Sequence, residues 1–338
     1  MVSAPIVVVG ASAGGIEALQ ALVAGLPHDF PAAVCVVLHL NASTPSALPD
    51  ILSRAGPLPA HHPSDGEAIR PGCIYVAPPD HHLLVDGDRL GIKKGPKESR
   101  FRPAVDALFR SAAHTRAPNV IGVVLSGVLD DGTSGLWNIK RLGGLAVVQD
   151  PAEAAFSDMP RHALEQVEVD YQARARDMGA LLARLIRDSA PAQTEVGMSE
   201  QERGRLKMEV QMAAEGPESP ASVGRLGPYT PFTCPECHGA MVQIQEEEAL
   251  RFRCHTGHGY TAHALLAELS ESIEDKLYQT QRVMEESFLL LERLGQRLPG
   301  ARAEALLNQA QLLEQRANLL HRLVLTYTPL ADEEPLPE

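Results

Sequence analysis

Ser12 stands in Gly10-Ala11-Ser12-Ala13-Gly14-Gly15, directly after the apolar run Ile6-Val7-Val8-Val9 and at the start of a helical pattern. A serine on a tight strand-to-helix turn meets unpaired backbone N–H groups, and small neighbours let a substrate approach, so the position suits a nucleophile with its own oxyanion site. A dinucleotide turn would need glycine in place of Ser12 and an acidic residue further on, and a phosphate loop would need a following Lys-Ser/Thr pair. Neither is present. A serine hydroxyl attacks well only when an imidazole takes its proton and a carboxylate orients that imidazole. The buried run over 33–38 ends in His39, and the run Val123-Val124-Leu125-Ser126-Gly127-Val128-Leu129 ends in the pair Asp130-Asp131. All three roles can thus be filled from strand ends. The order Ser…His…Asp is not that of the α/β-hydrolases.

A second constellation lies downstream. Cys234-Pro235-Glu236-Cys237 and Cys254-His255-Thr256-Gly257-His258 are separated by a stretch that reads as a hairpin. Thiolates and imidazole at this spacing suit tetrahedral zinc, with Cys234, Cys237, Cys254 and His258 as the preferred set and His238 or His255 as alternative fourth ligands. Four filled positions would make the zinc structural, holding a ribbon too small to stabilise itself. The histidine pairs His61-His62 and His81-His82 read as loop residues, and Lys93, Lys94, Lys97, Arg100 and Arg102 as a solvated basic run able to steer docking.

Short continuous apolar runs over 6–9, 34–38, 73–77, 119–125 and 145–149 alternate with amphipathic segments near 16–25, 103–115, 135–142, 160–166 and 178–188. This pattern predicts an α/β domain, a doubly wound and mostly parallel sheet covered on both faces, over 1–188. The step Val85-Asp86-Gly87-Asp88-Arg89 predicts an inserted β-hairpin. Residues 189–227, poor in large apolar side chains apart from a transient helix near 198–212, read as a linker. A zinc-ribbon-like module follows over 228–262, then a helical hairpin over 263–328 and a frayed tail over 329–338. In the hairpin, Leu266, Leu269, Ile273, Leu277, Met284, Phe288, Leu291 and Leu294 share helical spacing, as do Leu306, Ala310, Leu313, Ala317, Leu320 and Val324. The apolar stripe suits a structural or oligomeric seam, so a homo-oligomer through these helices is one expectation.

At 338 residues the chain has room for two or three domains. A formal charge of −13 argues against a nucleic-acid-binding protein. No apolar run is long enough for membrane insertion, and no signal peptide is recognisable, which predicts a cytoplasmic protein. Five cysteines, three of them clustered, suit a reducing compartment and a metal site better than disulfides.

Taken together, Val9-Gly10-Ala11-Ser12-Ala13-Gly14-Gly15, the strand ending in His39, Val76-Ala77-Pro78, the run Arg102-Pro103-Ala104-Val105-Asp106-Ala107-Leu108-Phe109, Leu125-Ser126-Gly127 with Asp131-Gly132, and Met159-Pro160 resemble the catalytic domain of CheB-type protein-glutamate methylesterases. The resemblance covers most of 5–188. It implies Ser12 as nucleophile, His39 as general base and Asp131 as orienting carboxylate, acting on glutamyl methyl esters of a chemotaxis receptor or similar signalling protein, with deamidation of selected glutamines as a related reaction. Two departures stand out: the family commonly has Gly-Met-Gly before its Asp-Gly, whereas this chain has Gly127-Val128-Leu129-Asp130 before Asp131-Gly132, and a Ser-Thr pair where it has Ser12-Ala13. No receiver domain precedes the motifs, which predicts control by other means. The downstream region is then expected to set location and assembly, with the chemistry wholly in 5–188. The contrasting expectation is a non-catalytic adaptor that binds methylated receptor helices and recruits a partner through its C-terminal region.

Overall fold

The computed structural model describes residues 4–40, 42–188, 198–245 and 250–327. The chain runs β1 (Ile6–Ala11), α1 (Gly15–Ala24), β2 (Ala33–Leu38), α2 (Leu48–Ala55), β3 (Ala60–His61) and β4 (Ile74–Val76). The hairpin β5 (His82–Asp86) and β6 (Arg89–Lys93) follows, then α3 (Val105–Arg116), β7 (Val120–Val124), α4 (Thr133–Arg141), β8 (Leu145–Gln149), α5 (Asp158–Gln166), β9 (Tyr171–Ala173) and α6 (Ala175–Asp188). Among the described residues, seven strands pair in parallel in the order β3-β4-β2-β1-β7-β8-β9. Every residue of β1, β2 and β7 is buried, as continuous apolar strands require when both faces are covered. Val7 and Val9 pack with Leu19 and Leu22 of α1 and Leu182 of α6. Ile6 and Val8 pack on the opposite face with Leu108 and Phe109 of α3. The chain moves one way from β1 through β2 to β4 and the other way from β7 through β8 to β9, so strand order reverses between β1 and β7. Ligands of doubly wound sheets bind outside the carboxyl ends of the strands at such a reversal.

The expected linker over 189–227 requires correction where it is described. Helix α7 (Glu200–Glu215) starts at a capping box between Ser199 and Glu202, buries Leu206, Met212 and Ala213, and packs against α3 and the β5–β6 hairpin. Its buried face also carries Glu209, bonded by Arg251 at 2.9 and 2.7 Å, which is why the face does not read as apolar. The short α8 (Pro220–Val223) follows; residues 189–197 lie outside the described residues.

Strands β10 (Tyr229–Thr233), β11 (Ala240–Gln245), β12 (Leu250–Cys254) and β13 (Gly259–Thr261) form an antiparallel sheet. Val242 and Ile244 of β11 share a small core with Met212, Val223 and Leu226, so this sheet is packed onto α7 and is not a tethered bead. The first compact unit runs through Ala264, and a second from Leu265 onward.

The second unit holds most of α9 (Ala262–Gly295) and α10 (Ala301–Thr326), paired antiparallel: Ser270 Oγ lies 3.0 Å from Tyr327 Oη, and Gln281 bonds His321. On α10 the buried residues Ala310, Ala317 and Val324 recur every seven, the spacing of a coiled-coil seam. The single stripe expected on α9 divides in two. Leu277, Met284, Phe288 and Leu291 are partly buried, whereas Leu266, Leu269, Ile273 and Leu294 are exposed. The tail over 329–338 lies outside the described residues. Among the described residues no helix is long and apolar enough to cross a membrane.

Candidate active site

Ser12 follows β1, His39 follows β2, and Asp131 follows β7, so the three predicted residues converge at the strand-order reversal. His39 Nδ1 lies 3.1 Å from Ser12 Oγ, and His39 Nε2 lies 2.8 Å from Asp131 Oδ2. The His39 and Asp131 side chains are 3% and 2% exposed, a setting in which their hydrogen bond is little screened by water. Ser12 itself is partly open to solvent. Its turn is shaped by Gly14 (φ 68), which caps α1 in a left-handed conformation that favours glycine. The Ser12 amide donates to Ser126 O at 2.9 Å, while the next amide, Ala13, lies just ahead of Gly14, the N-cap of α1.

The Asp131 carboxylate is held by the start of α3: Val105 N–H donates to Oδ2 at 2.7 Å and Asp106 N–H to Oδ1 at 2.9 Å. Two amides at the start of a helix thus fix the orientation of this carboxylate. Asp106, also buried, accepts from Gly132 N–H at 3.1 Å and Gly135 N–H at 2.7 Å. Burial, followed by the neighbouring Asp131 charge, pushes the Asp106 carboxyl up to about 7, with Arg110 opposing. Behind the serine, Gly127 leaves no room for a side chain: a Cβ there would sit 2.1 Å from Met159 Sδ and 2.8 Å from Ser12 Cβ.

Sequence reasoning missed three features. Phe101 stacks on the His39 ring, with centroids 3.7 Å apart and planes 7° from parallel. His82 is not a loop residue but lies fully buried at the start of β5; its ring lies 2.9 Å from Pro96 O through Nε2 and accepts from Ala104 N–H through Nδ1, just ahead of α3. The basic run is not a free positive patch either: Lys93 pairs with Asp65, Lys94 and Arg102 with Asp80, and Lys97 with Glu236. Only the family-like run beginning at Arg102 hinted that this stretch borders the site.

Downstream, candidate ligand atoms of Cys234, Cys237, Cys254 and His258 all lie within 4.8 Å of one another. Cys237 Sγ and Cys254 Sγ are 3.6 Å apart, and His258 Nδ1 is 3.6 Å from both Cys234 Sγ and Cys254 Sγ. Sulfurs held at about 2.3 Å from one tetrahedral zinc would be about 3.8 Å apart, so the set fits such an ion. His258 Nε2 pairs with Glu236 at 3.1 Å, the kind of outer contact that orients a ligating imidazole. His255 packs against Gly239 and is not in the cluster; nor is His238.

Residues 7–182 match the family model described as CheB methylesterase. A putative protein-glutamate methylesterase/protein-glutamine glutaminase of Leptospira interrogans is 37% identical over 180 residues, covering 53% of this chain and 93% of that protein. Protein-glutamate methylesterase/protein-glutamine glutaminase 1 of Xanthomonas campestris is 41% identical over 159 residues, 46% of this chain and 44% of its own length. The crystal structure of the Thermotoga maritima CheB methylesterase catalytic domain superposes with a TM-score of 0.52 at 32% identity, covering 54% of this chain and all of that one. A doubly wound domain with a hydrogen-bonded Ser–His–Asp set at its strand-order reversal is the architecture of a serine hydrolase domain. The chain belongs to the CheB methylesterase family.

Proposed function

We propose that the chain hydrolyses methyl esters of glutamate side chains on a chemotaxis receptor or similar signalling protein, with Ser12, His39 and Asp131 as its catalytic residues. The observation that carries this reading is the continuous hydrogen-bonded path from Ser12 Oγ through both nitrogens of His39 to Asp131. Ser12 Oγ attacks the ester carbonyl as His39 Nδ1 takes its proton; Asp131 stabilises the resulting imidazolium through Nε2–H. The tetrahedral oxyanion forms beside the start of α1, where the Ala13 amide is the backbone donor next after the nucleophile. His39 then returns the proton to the departing methoxide, releasing methanol and leaving Ser12 acylated by the glutamyl group. Water, deprotonated by His39, attacks the acyl-enzyme; the proton passes back to Ser12 Oγ and glutamate is freed. With a glutamine side chain the same steps release ammonia. A non-catalytic adaptor would have no use for a buried imidazole oriented by a carboxylate and two backbone amides.

A structural zinc held by Cys234, Cys237, Cys254 and His258 fits the donor set, and it would stabilise the small four-stranded sheet and take no part in ester hydrolysis. The cytoplasm suits the free thiols of that set. The outward stripe on α9 suits a second copy of the hairpin.

The reading is tested by incubating a methylated receptor cytoplasmic fragment with the protein and mapping its peptides by mass spectrometry. Conversion of glutamyl methyl esters to glutamate is expected, and undiminished esters after many enzyme equivalents would refute it.

A further inference from the structure

The four-stranded sheet grips the active site at two separate points. At the first, Gly259 of β13 forms a bridge with Glu98: Ser99 N–H donates to Gly259 O at 2.7 Å, and Gly259 N–H to Lys97 O at 3.2 Å. The gripped segment is a tight turn in which Glu98 and Phe101 exchange backbone hydrogen bonds of 3.1 and 2.9 Å. Ser99 (φ 46) and Arg100 (φ 79) both occupy the left-handed region, which non-glycine residues hold only when their surroundings enforce it. The turn ends in Phe101, the residue stacked on His39. Its Glu98 side chain is buried between Arg110 of α3 and Arg253 of β12, and Arg253 also donates to Gly257 O at 2.7 Å and to Glu209 at 3.1 Å. Two elements of the downstream region thereby converge on the helix whose first amides hold Asp131.

At the second point the grip is on the residue adjoining Asp131. Asp130 is 3% exposed, and its carboxylate is held by Thr261 Oγ1 at 2.6 Å and His263 Nδ1 at 3.0 Å, from β13 and the first turn of α9. The His263 ring stacks on His162, which lies 2.9 Å from Leu129 O through its own Nδ1. Leu129 again has a positive φ, 63°. The loop carrying Asp131 is thus fixed from outside the α/β domain, and a buried carboxylate stripped of these partners would pull toward water.

We propose that Thr261 and His263 are positioning residues of the hydrolase: by holding Asp130 at one point and gripping the Phe101 turn through Gly259 at the other, the downstream sheet sets the His39–Asp131 geometry, and full turnover requires that sheet to be docked. This rests on the hydrolase reading for its kinetic arm only, and it replaces the expectation that chemistry resides wholly in 5–188. Because sub-ångström placement of the base governs turnover, the contacts act on kcat more than on substrate binding.

The test uses the full chain carrying Thr261→Val and His263→Ala, singly and together, with cooperative unfolding checked first. His263 is half exposed, so its single variant serves if the double variant does not fold. We expect the low-field NMR signal of the His39 Nε2 proton to shift or broaden, kcat on a small methyl ester to drop about tenfold or more, and KM to stay within about twofold. His263→Asn, which restores a donor near the Nδ1 position, should recover kcat to within about threefold. A folded variant with wild-type kcat and an unmoved His39 signal would overturn the proposal. If the unaltered protein hydrolyses no methyl ester, the methylesterase reading fails, while the His39 signal still decides whether Thr261 and His263 position the imidazole.

Discussion

Phe101 lies flat against His39, ring centroids 3.7 Å apart and planes within 7°, so the His39 imidazole is clamped between an aromatic face and the Asp131 carboxylate. Such stacking is worth about 1 kcal/mol beyond area burial, and it also limits rotation of the imidazole away from Ser12. Phe101→Ala should therefore lower kcat/KM by about five- to tenfold. Steady-state kinetics on a small methyl ester check this, and Phe101→Tyr, which keeps the face, should lose much less.

The buried Glu98 gives the stability a pH signature. Burial alone would raise its pKa, but Arg110 and Arg253 outweigh it and hold the carboxyl at about 2, below its ordinary 4.5. A depressed folded-state pKa means that the unfolded chain binds more protons in this window, so the stabilisation is complete above about 4.5 and is lost as pH falls toward about 2. The loss attributable to this group is about 3 kcal/mol at most. Urea unfolding across that range should give a steep pH dependence that flattens in Glu98→Gln, which should also be less stable at neutral pH because two buried guanidinium groups lose a charged partner.

For the cysteine cluster the expected content is about one zinc per chain, abolished by Cys234→Ser or Cys254→Ser. Elemental analysis of freshly purified protein measures it directly. Protein that holds no metal would remove zinc from the account, leaving the thiol cluster to be explained by packing alone.

The parallel sheet, its switch point and the three strand ends were legible because continuous apolar runs ending in Ser12, His39 and Asp130-Asp131 have few other readings. The convergence of Cys234, Cys237, Cys254 and His258 was legible from their spacing. Helix α7 was less so, since Glu209 occupies a position that pattern reading assigns to solvent, and its burial is offset by ion pairs with Arg251 and Arg253. Docking of the four-stranded sheet was hidden for the same reason. The pair Glu98–Arg253 joins residues 155 apart in sequence, and nothing local in either segment announces the other. Asp130 was visible as half of the strand-end pair Asp130-Asp131, but its partners were not; Thr261 and His263 supply those that a buried carboxylate there needs.

The central claim is that Ser12 is the nucleophile, activated through His39 by Asp131. Its most direct measurement is methanol release from a glutamyl methyl ester by the unaltered chain and by Ser12→Ala under identical conditions, with folding verified by matching unfolding transitions. The account predicts a fall in kcat of about a thousandfold or more, with no further loss on adding His39→Ala, because members of one catalytic unit are not additive. Turnover by Ser12→Ala near that of the unaltered chain would contradict it.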